Sequence, residues 1–555
     1  MKQRLHDFLT AQVELRPEAV ALVFRGHSTT YAQLEQNSNR LAGALRSAGC
    51  SRGDRVGLLV PKSTQAIVAM FGAMKADCIY VPIDVASPVA RIQRILQKCE
   101  CRCILADHST AGLLNDLVAQ GALTDSTQLG WLDHGAPLVN GAGDTFSWSD
   151  VETLADTANE STTRPSDPVH ILFTSGSTGM PKGVVITHEN IAHFIRWATA
   201  YWGMNAEDRI SGHPPLHFDL STFDIYGSIA AGAQLHLVPP EASLLPHKLA
   251  EFIRESKLTQ WFSVPWVLQQ MAKFDAVRPN DFPSLKRILW CGEKFPTPPL
   301  MYWMKHLPHV TFDNLYGPTE ATIASSYFRV AHCPEDETVE VPIGLPCKGE
   351  ILLVLDDQLR PVRPGEIGEL YIGGVGLSPG YWNDPEKTED VFRPNPYSSN
   401  PRDRIYKTGD LARISVDGIF YLVGRSDSQI KTRGYRIELG EIEAAVHSIP
   451  EVQDAAVMAV EYDPDTRSIA CAYVPQPGTD ISPLALKKKL ANVLPSYMLP
   501  QRWMSLPQLP RNNNGKADRP LLKQQFLQQG AIRHPHGSDS NVREEQRQEP
   551  LSVLP

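Results

Sequence analysis

Along residues 31–48, Leu34, Leu41 and Leu45 recur at helical spacing with polar residues between them, and the apolar run Val56–Val60 that follows reads as a buried strand. Ala66–Lys75 returns to a helical pattern, and Cys78–Ile83 to an extended one. The rhythm continues through Ile171–Phe173, Gln234–Val238, Trp261–Val264 and Arg287–Trp290. Strands alternating with helices predict an α/β fold of layered parallel sheets with crossover helices. After about residue 345 the texture changes. Glu350–Leu355, Gly368–Ile372 and Gly418–Val423 are strand-like runs between Pro/Gly-rich turns, which predicts a smaller β-rich subdomain. Beyond Arg425, Gly440–Ser448 and Pro483–Leu494 read as helices, and Val452–Val460 and Ile469–Val474 as strands, enough for a small α+β unit. The stretch from 530 to 555 is polar and aperiodic, and predicts a disordered tail.

Composition narrows the class. A chain of 555 residues exceeds one ordinary core and suggests roughly three or four structural units. With 42% hydrophobic and 21% charged residues it is globular. A net charge of −9 without a basic run argues against nucleic acid as a partner. No apolar run approaches the ~18 residues of a membrane span, and Met1–Phe8 lacks the apolar core of a secretory signal, so no membrane partner and a cytoplasmic location are expected. Nine cysteines at irregular spacing fit a reducing compartment. The cluster Cys99-Glu-Cys-Arg-Cys103 reads as three thiols on one face of a strand, without the ligand pairs of a zinc site.

The sharpest chemical signal is Phe173-Thr-Ser-Gly-Ser-Thr-Gly-Met-Pro-Lys-Gly183, directly after a strand. Its glycines allow close backbone approach, while Thr174, Ser175, Ser177, Thr178 and Lys182 offer hydroxyls and a cation to anionic oxygens. This reads as a phosphate cradle. It is not the P-loop GxxxxGK[ST], because Lys182 is followed by Gly183. Tyr316, taken alone a turn tyrosine, has an aromatic face suited to adenine, and its neighbours Thr319 and Glu320 suit a phosphate and its magnesium. Asp410 ends a Thr-Gly-Asp turn, where a carboxylate can accept ribose hydroxyls. Lys516, in the loop Asn512-Asn-Asn-Gly-Lys-Ala-Asp518, reads in isolation as a solvated surface lysine.

The cradle resembles the nucleotide-binding signature of the adenylate-forming superfamily of acyl-CoA synthetases, luciferases and amino-acid adenylation domains of nonribosomal peptide synthesis. Further signatures follow in that superfamily's order: Tyr80-Val-Pro-Ile-Asp84, Asn314-Leu-Tyr-Gly-Pro-Thr-Glu320, Gly368–Gly376, Tyr406-Lys-Thr-Gly-Asp410, Gly424–Glu438, Leu494-Pro-Ser-Tyr-Met498 and Asn514–Arg519. The resemblance implies a core over 1–426, a small mobile domain over 427–529 and a tail over 530–555. It implies ATP and Mg2+ as cofactors. The ATP site would comprise Thr174, Ser175, Ser177, Thr178, Lys182, Asn314, Tyr316, Gly317, Thr319, Asp410, Arg425 and Lys516, with Glu320 holding the metal. Thr174, Glu320 and Lys516 would be catalytic, Asp427 the hinge, and Gly434 part of the thiol-transfer site. The implied reaction has two steps. A carboxylate attacks the α-phosphorus of ATP, then the small domain rotates and a phosphopantetheine thiol takes the acyl group.

His213–Gly227 resembles the "FDxS" pattern of the amino-acid branch, in which Asp219 would grip the substrate's α-ammonium. A helix cap is the plainer reading of that aspartate. The remaining pocket positions carried across are Leu220, Phe223, Phe262, Leu289, Cys291, Leu315, Ile323, Ala324 and Lys516. Apart from Asp219 and Lys516 none of them is ionised, so a polar substrate side chain would lose roughly 1–3 kcal/mol of hydrogen bonding. Two phenylalanines ask for something compact. The pattern is similar to stand-alone proline-adenylating enzymes that load a separate carrier protein, with Cys291 a departure; valine, pipecolate or a methylproline also fit. No carrier segment is expected after Arg519, and no GxSxG elbow occurs. Two rivals remain open: an acyl-CoA synthetase of the same superfamily, and an inert scaffold that binds carrier proteins.

Overall fold

The computed structural model describes residues 3–533 except 124–126, 136–144, 158–160, 177–178, 244, 464–465 and 513–515. Among these residues, two large sheets and a five-stranded sheet precede the small α+β unit. One large sheet has eight strands and is parallel through its centre, where Ile79–Pro82, Arg55–Leu59, Cys103–Ala106 and Gln128–Trp131 lie side by side. The other has nine, with Arg209–Gly212, Gln260–Ser263, Arg287–Trp290 and Thr311–Tyr316 in parallel register. Antiparallel strands finish these sheets. Pro168–Thr174 pairs with Lys182–Thr187, and Thr311–Tyr316 with Ser326–Arg329. The sheets are thus mixed, because short connections at these two places return the chain alongside itself instead of crossing over.

The helices take the positions that their apolar periodicity predicts. Tyr31–Ser47 begins with a capping box at Thr30 and Gln33 and buries Leu34, Leu41 and Leu45. Thr64–Lys75 is capped by Ser63 and buried along nearly its whole length, between the sheets rather than outside them. The cysteine cluster differs from its expected form. Cys99 ends the helix Val89–Cys99, Glu100 turns with φ +49°, and only Cys103 enters a strand. A left-handed residue between the thiols breaks the extended run that would have put them on one face. All nine cysteines are free.

The strands from Glu350–Leu355 to Phe420–Arg425 supply the five-stranded sheet, with Ile367–Gly374 central beside Arg404–Ile414. From Gln429 onward a hairpin, the helix Leu439–His447 and a three-stranded sheet form their own apolar clusters. The last helix, Arg519–Arg533, runs four residues into the stretch expected as tail; Leu522 and Phe526 anchor its earlier turns on the sheet. The rest of that stretch lies outside the described residues. Among the described residues, no helix is long and apolar enough to cross a membrane.

Candidate active site

The phosphate-type loop is the turn of the antiparallel pair Pro168–Thr174 and Lys182–Thr187, with Thr174 directly opposite Lys182. Gly176 has no room for a side chain: a Cβ there would lie 2.0 Å from the Met180 carbonyl oxygen. Ser177 and Thr178 lie outside the described residues. Thr174 lines a cavity of about 120 Å³, and its Oγ1 is buried with no partner among the described residues. Burial, reinforced by Arg436, holds the Lys182 ammonium below the ordinary lysine range.

Across the cavity, the strand Thr311–Tyr316 delivers the Tyr-Gly-Pro-Thr-Glu turn. Gly317 is required there, since a Cβ would stand 2.6 Å from Ala324 Cα. The Glu320 carboxylate is fully buried, accepting from Tyr381 Oη at 2.7 Å and from Arg436 Nη1 at 2.6 Å. Burial alone would raise its pKa, but Arg436, Lys182 and the Tyr381 hydroxyl outweigh it and hold the group at about 2. Tyr316 Oη donates to Asp410 Oδ2 at 2.5 Å, while Arg425 Nη1 donates to Asp410 Oδ1 at 2.6 Å. Register explains the second contact, because Asp410 and Arg425 face each other on adjacent strands. Asn314 spends its amide on the Pro342 carbonyl at 2.7 Å. A second cavity of about 700 Å³ opens against Asn314, Tyr316, Asp410, Arg425 and Asp427.

Asp219 occupies the N-terminus of the helix Leu220–Ala231, yet its side chain makes no capping bond. It accepts instead from Thr319 Oγ1 at 2.7 Å, and it lines the first cavity. Burial pushes the Asp219 carboxyl up to about 6, against the pull of that hydroxyl. Of the apolar candidates, Leu220 and Cys291 share this wall. Phe223, Phe262, Leu289, Ile323 and Ala324 pack behind it in one buried cluster, and Leu315, in the same cluster, borders the second cavity. Phe223 is held edge-on by Phe194 and Phe262, with ring centroids at 5.5 and 5.6 Å.

The small domain supplies the remaining wall. Gly434, with φ +84°, donates its N–H to Glu293 Oε1 at 2.5 Å, and a Cβ would approach Val264 Cγ2 to 2.9 Å. Asp427 is paired through both carboxylate oxygens with Arg425, at 2.7 Å each. Lys516 is the site residue that the fold does not bring in. It is exposed, its N–H donates to Asn512 Oδ1 of its own loop, and it lines neither cavity. The reason is orientation: the Gly434 hairpin of the same domain already faces the cavity. Sequence reasoning assigned no role to Arg436, Glu438, Lys431 or Glu441. The first three lie in or beside the quoted Gly424–Glu438 motif, but nothing in their spacing says which core group each meets. Lys431 Nζ stands 5.5 Å above the Tyr316 ring. Among the described residues there is no His/Cys/Asp/Glu group that could by itself hold a metal.

The site thus combines a glycine-containing loop of phosphate-binding type, a buried carboxylate and a small domain seated against both. Residues 9–382 match the AMP-binding enzyme family and residues 441–516 the C-terminal domain of AMP-binding enzymes, so the chain belongs to that family of adenylate-forming, ATP-using enzymes. The chain is 36% identical, over 93% of its length and 94% of the relative's, to the L-proline–[L-prolyl-carrier protein] ligase of Streptomyces coelicolor. It is 33% identical to tyrocidine synthase 3 of Brevibacillus parabrevis over 98% of its own length, but spans only 8% of that synthase. Among solved structures, the Vibrio cholerae adenylation domain AlmE, in complex with glycyl-adenosine-5'-phosphate, superposes with a TM-score of 0.81 at 26% identity, covering 94% of this chain and 98% of that one.

Proposed function

We propose that the protein adenylates a compact apolar amino acid, proline foremost, and passes it to the phosphopantetheine thiol of a separate carrier protein in the cytoplasm. The observation that carries the reading is Asp219. A buried carboxylate that lines the cavity, is not spent on its helix and is pushed up to about 6 by burial gains from a cation brought by the substrate. A substrate α-ammonium supplies that cation, and a fatty or aryl acid does not. The buried Phe223–Phe262 pair in the cluster with Leu220 and Cys291 favours a compact side chain. The likeness to a prolyl-carrier protein ligase supports the same substrate and partner.

In the first step the substrate carboxylate oxygen attacks the α-phosphorus, and pyrophosphate leaves. Thr174, Ser175 and Lys182 bind the phosphates, Asp410 and Arg425 orient the ribose, and Tyr316 stacks on adenine. Lys516 neutralises charge between carboxylate and phosphate after the small domain swings about Asp427. Glu320, held ionised, is an oxygen donor that suits a magnesium ion. That ion would offset the phosphates' negative charge. No general base is required, because positioning and charge neutralisation suffice. In the second step, with Gly434 against the core, a thiol sulfur attacks the acyl carbonyl. A C–S bond forms, the C–O bond to phosphate breaks, AMP leaves with the electron pair, and the thiol proton passes to solvent.

Amino-acid-dependent ATP–pyrophosphate exchange tests this reading. L-proline or a close cyclic or small aliphatic amino acid should give the highest kcat/KM, and Asp219→Ala should remove the preference for an α-amino group. Highest activity with aspartate, lysine or a fatty acid overturns it.

A further inference from the structure

A lysine and an aspartate that the proposed chemistry leaves unused meet beside the segment that carries Asp219. Lys62 lies in the turn between the strand Arg55–Leu59 and the helix Thr64–Lys75, so it belongs to the eight-stranded sheet. Its Nζ reaches across to the nine-stranded sheet and donates to the Gly212 and His213 carbonyls, at 2.7 Å each. Gly212 ends the strand Arg209–Gly212, and residues 213–218 connect it to Asp219. Asp224 stands on the helix Leu220–Ala231, one turn beyond the cavity-lining Leu220, and is fully buried. Neither of its carboxylate oxygens has a hydrogen-bond partner among the described residues. The groups that face it are the Lys62 ammonium and, outside hydrogen-bonding geometry, the His213 N–H. Lys62 as a whole is partly exposed, but burial of its ammonium pulls the pKa down to about 7, and Asp224 opposes that fall. Burial likewise pushes the Asp224 carboxyl well up, against the pull of Lys62. Each ion thus supports the charge of the other.

The segment between Gly212 and Asp219 is stiff and short of donors of its own. Pro214 and Pro215 have a fixed φ and no N–H. The His213 ring packs on Trp261 with centroids 5.0 Å apart, and the Phe218 N–H returns to the Pro215 carbonyl at 3.0 Å. At the far end, Ser221 Oγ donates to the Phe218 carbonyl at 2.7 Å and Thr222 Oγ1 to the Asp219 carbonyl at 2.6 Å. A shift at the first carbonyls is therefore passed on to Asp219, where a flexible loop would absorb it. An ammonium suits the anchor, because its three N–H groups can hold two carbonyls and still point one at a carboxylate. We infer that Lys62, held by Asp224, is a positioning residue of the amino-acid site: it anchors the start of the 212–219 segment and so fixes where the Asp219 carboxylate meets the substrate's α-ammonium. The phosphate-type loop and the Asp410–Arg425 pair belong to other strands, so nucleotide binding does not depend on this anchor.

This role rests on reading Asp219 as the partner of the substrate's ammonium, and the experiment separates the two. ATP–pyrophosphate exchange with the amino acid of highest activity is measured on the full-length protein, on Lys62→Met and on Lys62→Met/Asp224→Asn. Inhibition by the corresponding amino alcohol (L-prolinol where that amino acid is L-proline) is measured beside it, since the alcohol keeps the ammonium and lacks the carboxylate. Met preserves an unbranched stem and removes the donors. The double variant also removes the carboxylate that would otherwise be left buried without its cation, so a measurement remains where the single variant does not fold. In each folded variant the amino-acid KM and the amino-alcohol Ki should rise together about 10–100-fold, as when a binding group is misplaced. The ATP KM and kcat should stay within about 3-fold, because the loss is one of uniform binding. A merely structural role would lower the fraction of active molecules, and so kcat, and leave KM unmoved. An unchanged amino-acid KM in the folded double variant, or equal rises in the KM of amino acid and ATP, overturns the inference. A double variant that fails to fold overturns it too, since the pair would then serve the fold and not the site. If Asp219→Ala leaves amino-alcohol inhibition unchanged, the reading of Asp219 falls and the inference falls with it.

Discussion

Two glycine-containing loops of the small domain have opposite fates. The hairpin turn at Gly434 is pressed against Val264 and bonded to Glu293, inside a cavity wall. Lys516, by contrast, is exposed, and its N–H donates to Asn512 Oδ1 of its own loop. Both lie in the small α+β unit, and in this orientation Gly434 lines the cavity while Lys516 does not. The hairpin faces inward here, where Arg436, Glu438 and Glu441 meet Glu320, Lys182 and the Gly176 N–H. An exposed loop lysine is therefore no sign of an idle one. Its place in the chemistry would depend on a rotation.

The comparison can be broken at several points. The largest effect should come from Lys516→Ala. If its ammonium acts only in adenylation, that half-reaction should fall about 10²–10³-fold, as when an electrostatic transition-state contact is lost. Thiol transfer from supplied aminoacyl-adenylate should stay nearly intact. The two half-reactions measured separately, with circular dichroism to verify folding, check this, and parallel losses would return Lys516 to the status of a solvated lysine.

A smaller and opposite effect is expected at the other loop. Gly434→Ala adds a Cβ 2.9 Å from Val264 Cγ2 at a left-handed φ, a strain of about 1–3 kcal/mol in the seated form. Thiol transfer should drop about 5- to 100-fold, with ATP–pyrophosphate exchange largely retained; equal losses would mean that the close approach at Gly434 plays no part in transfer.

The smallest effect concerns Asp219 and stability. Its folded pKa of about 6 lies above the ordinary carboxylate value, so ionisation opposes folding. The cost is absent below the unfolded pKa near 4 and is complete above about 6. Asp219→Asn should therefore raise Tm by a degree or two at pH 8 relative to the unaltered protein, and by less at pH 4.5. A thermal melt at the two pH values reads the difference. The same carboxylate implies that the amino-acid KM of the unaltered enzyme falls as pH rises through about 6.

The strand and helix patterns alone located most of the fold, to within a residue or two at Arg287–Trp290, Glu350–Leu355 and Tyr31–Ser47: the helix buries one face and writes its period into the chain, and Arg287–Trp290, buried on both faces, shows as a short apolar run. Chemistry carried by contiguous residues was legible in the same way: the cradle, the Tyr-Gly-Pro-Thr-Glu turn and the Asp410 turn each keep their groups within one loop. Other features came only with the tertiary structure. The Cys99–Cys103 run broke at a left-handed Glu100, which a list of thiols does not foretell. Whether Asp219 capped its helix or faced a cavity depended on Thr319, a hundred residues away. The partners of Glu320, Arg436 and Lys182 depended on how a second domain sits, since an ion pair across an interface is a property of two surfaces and leaves no period in either. Sequence thus named the charged groups that must be neutralised, and the domain arrangement decided what neutralises them.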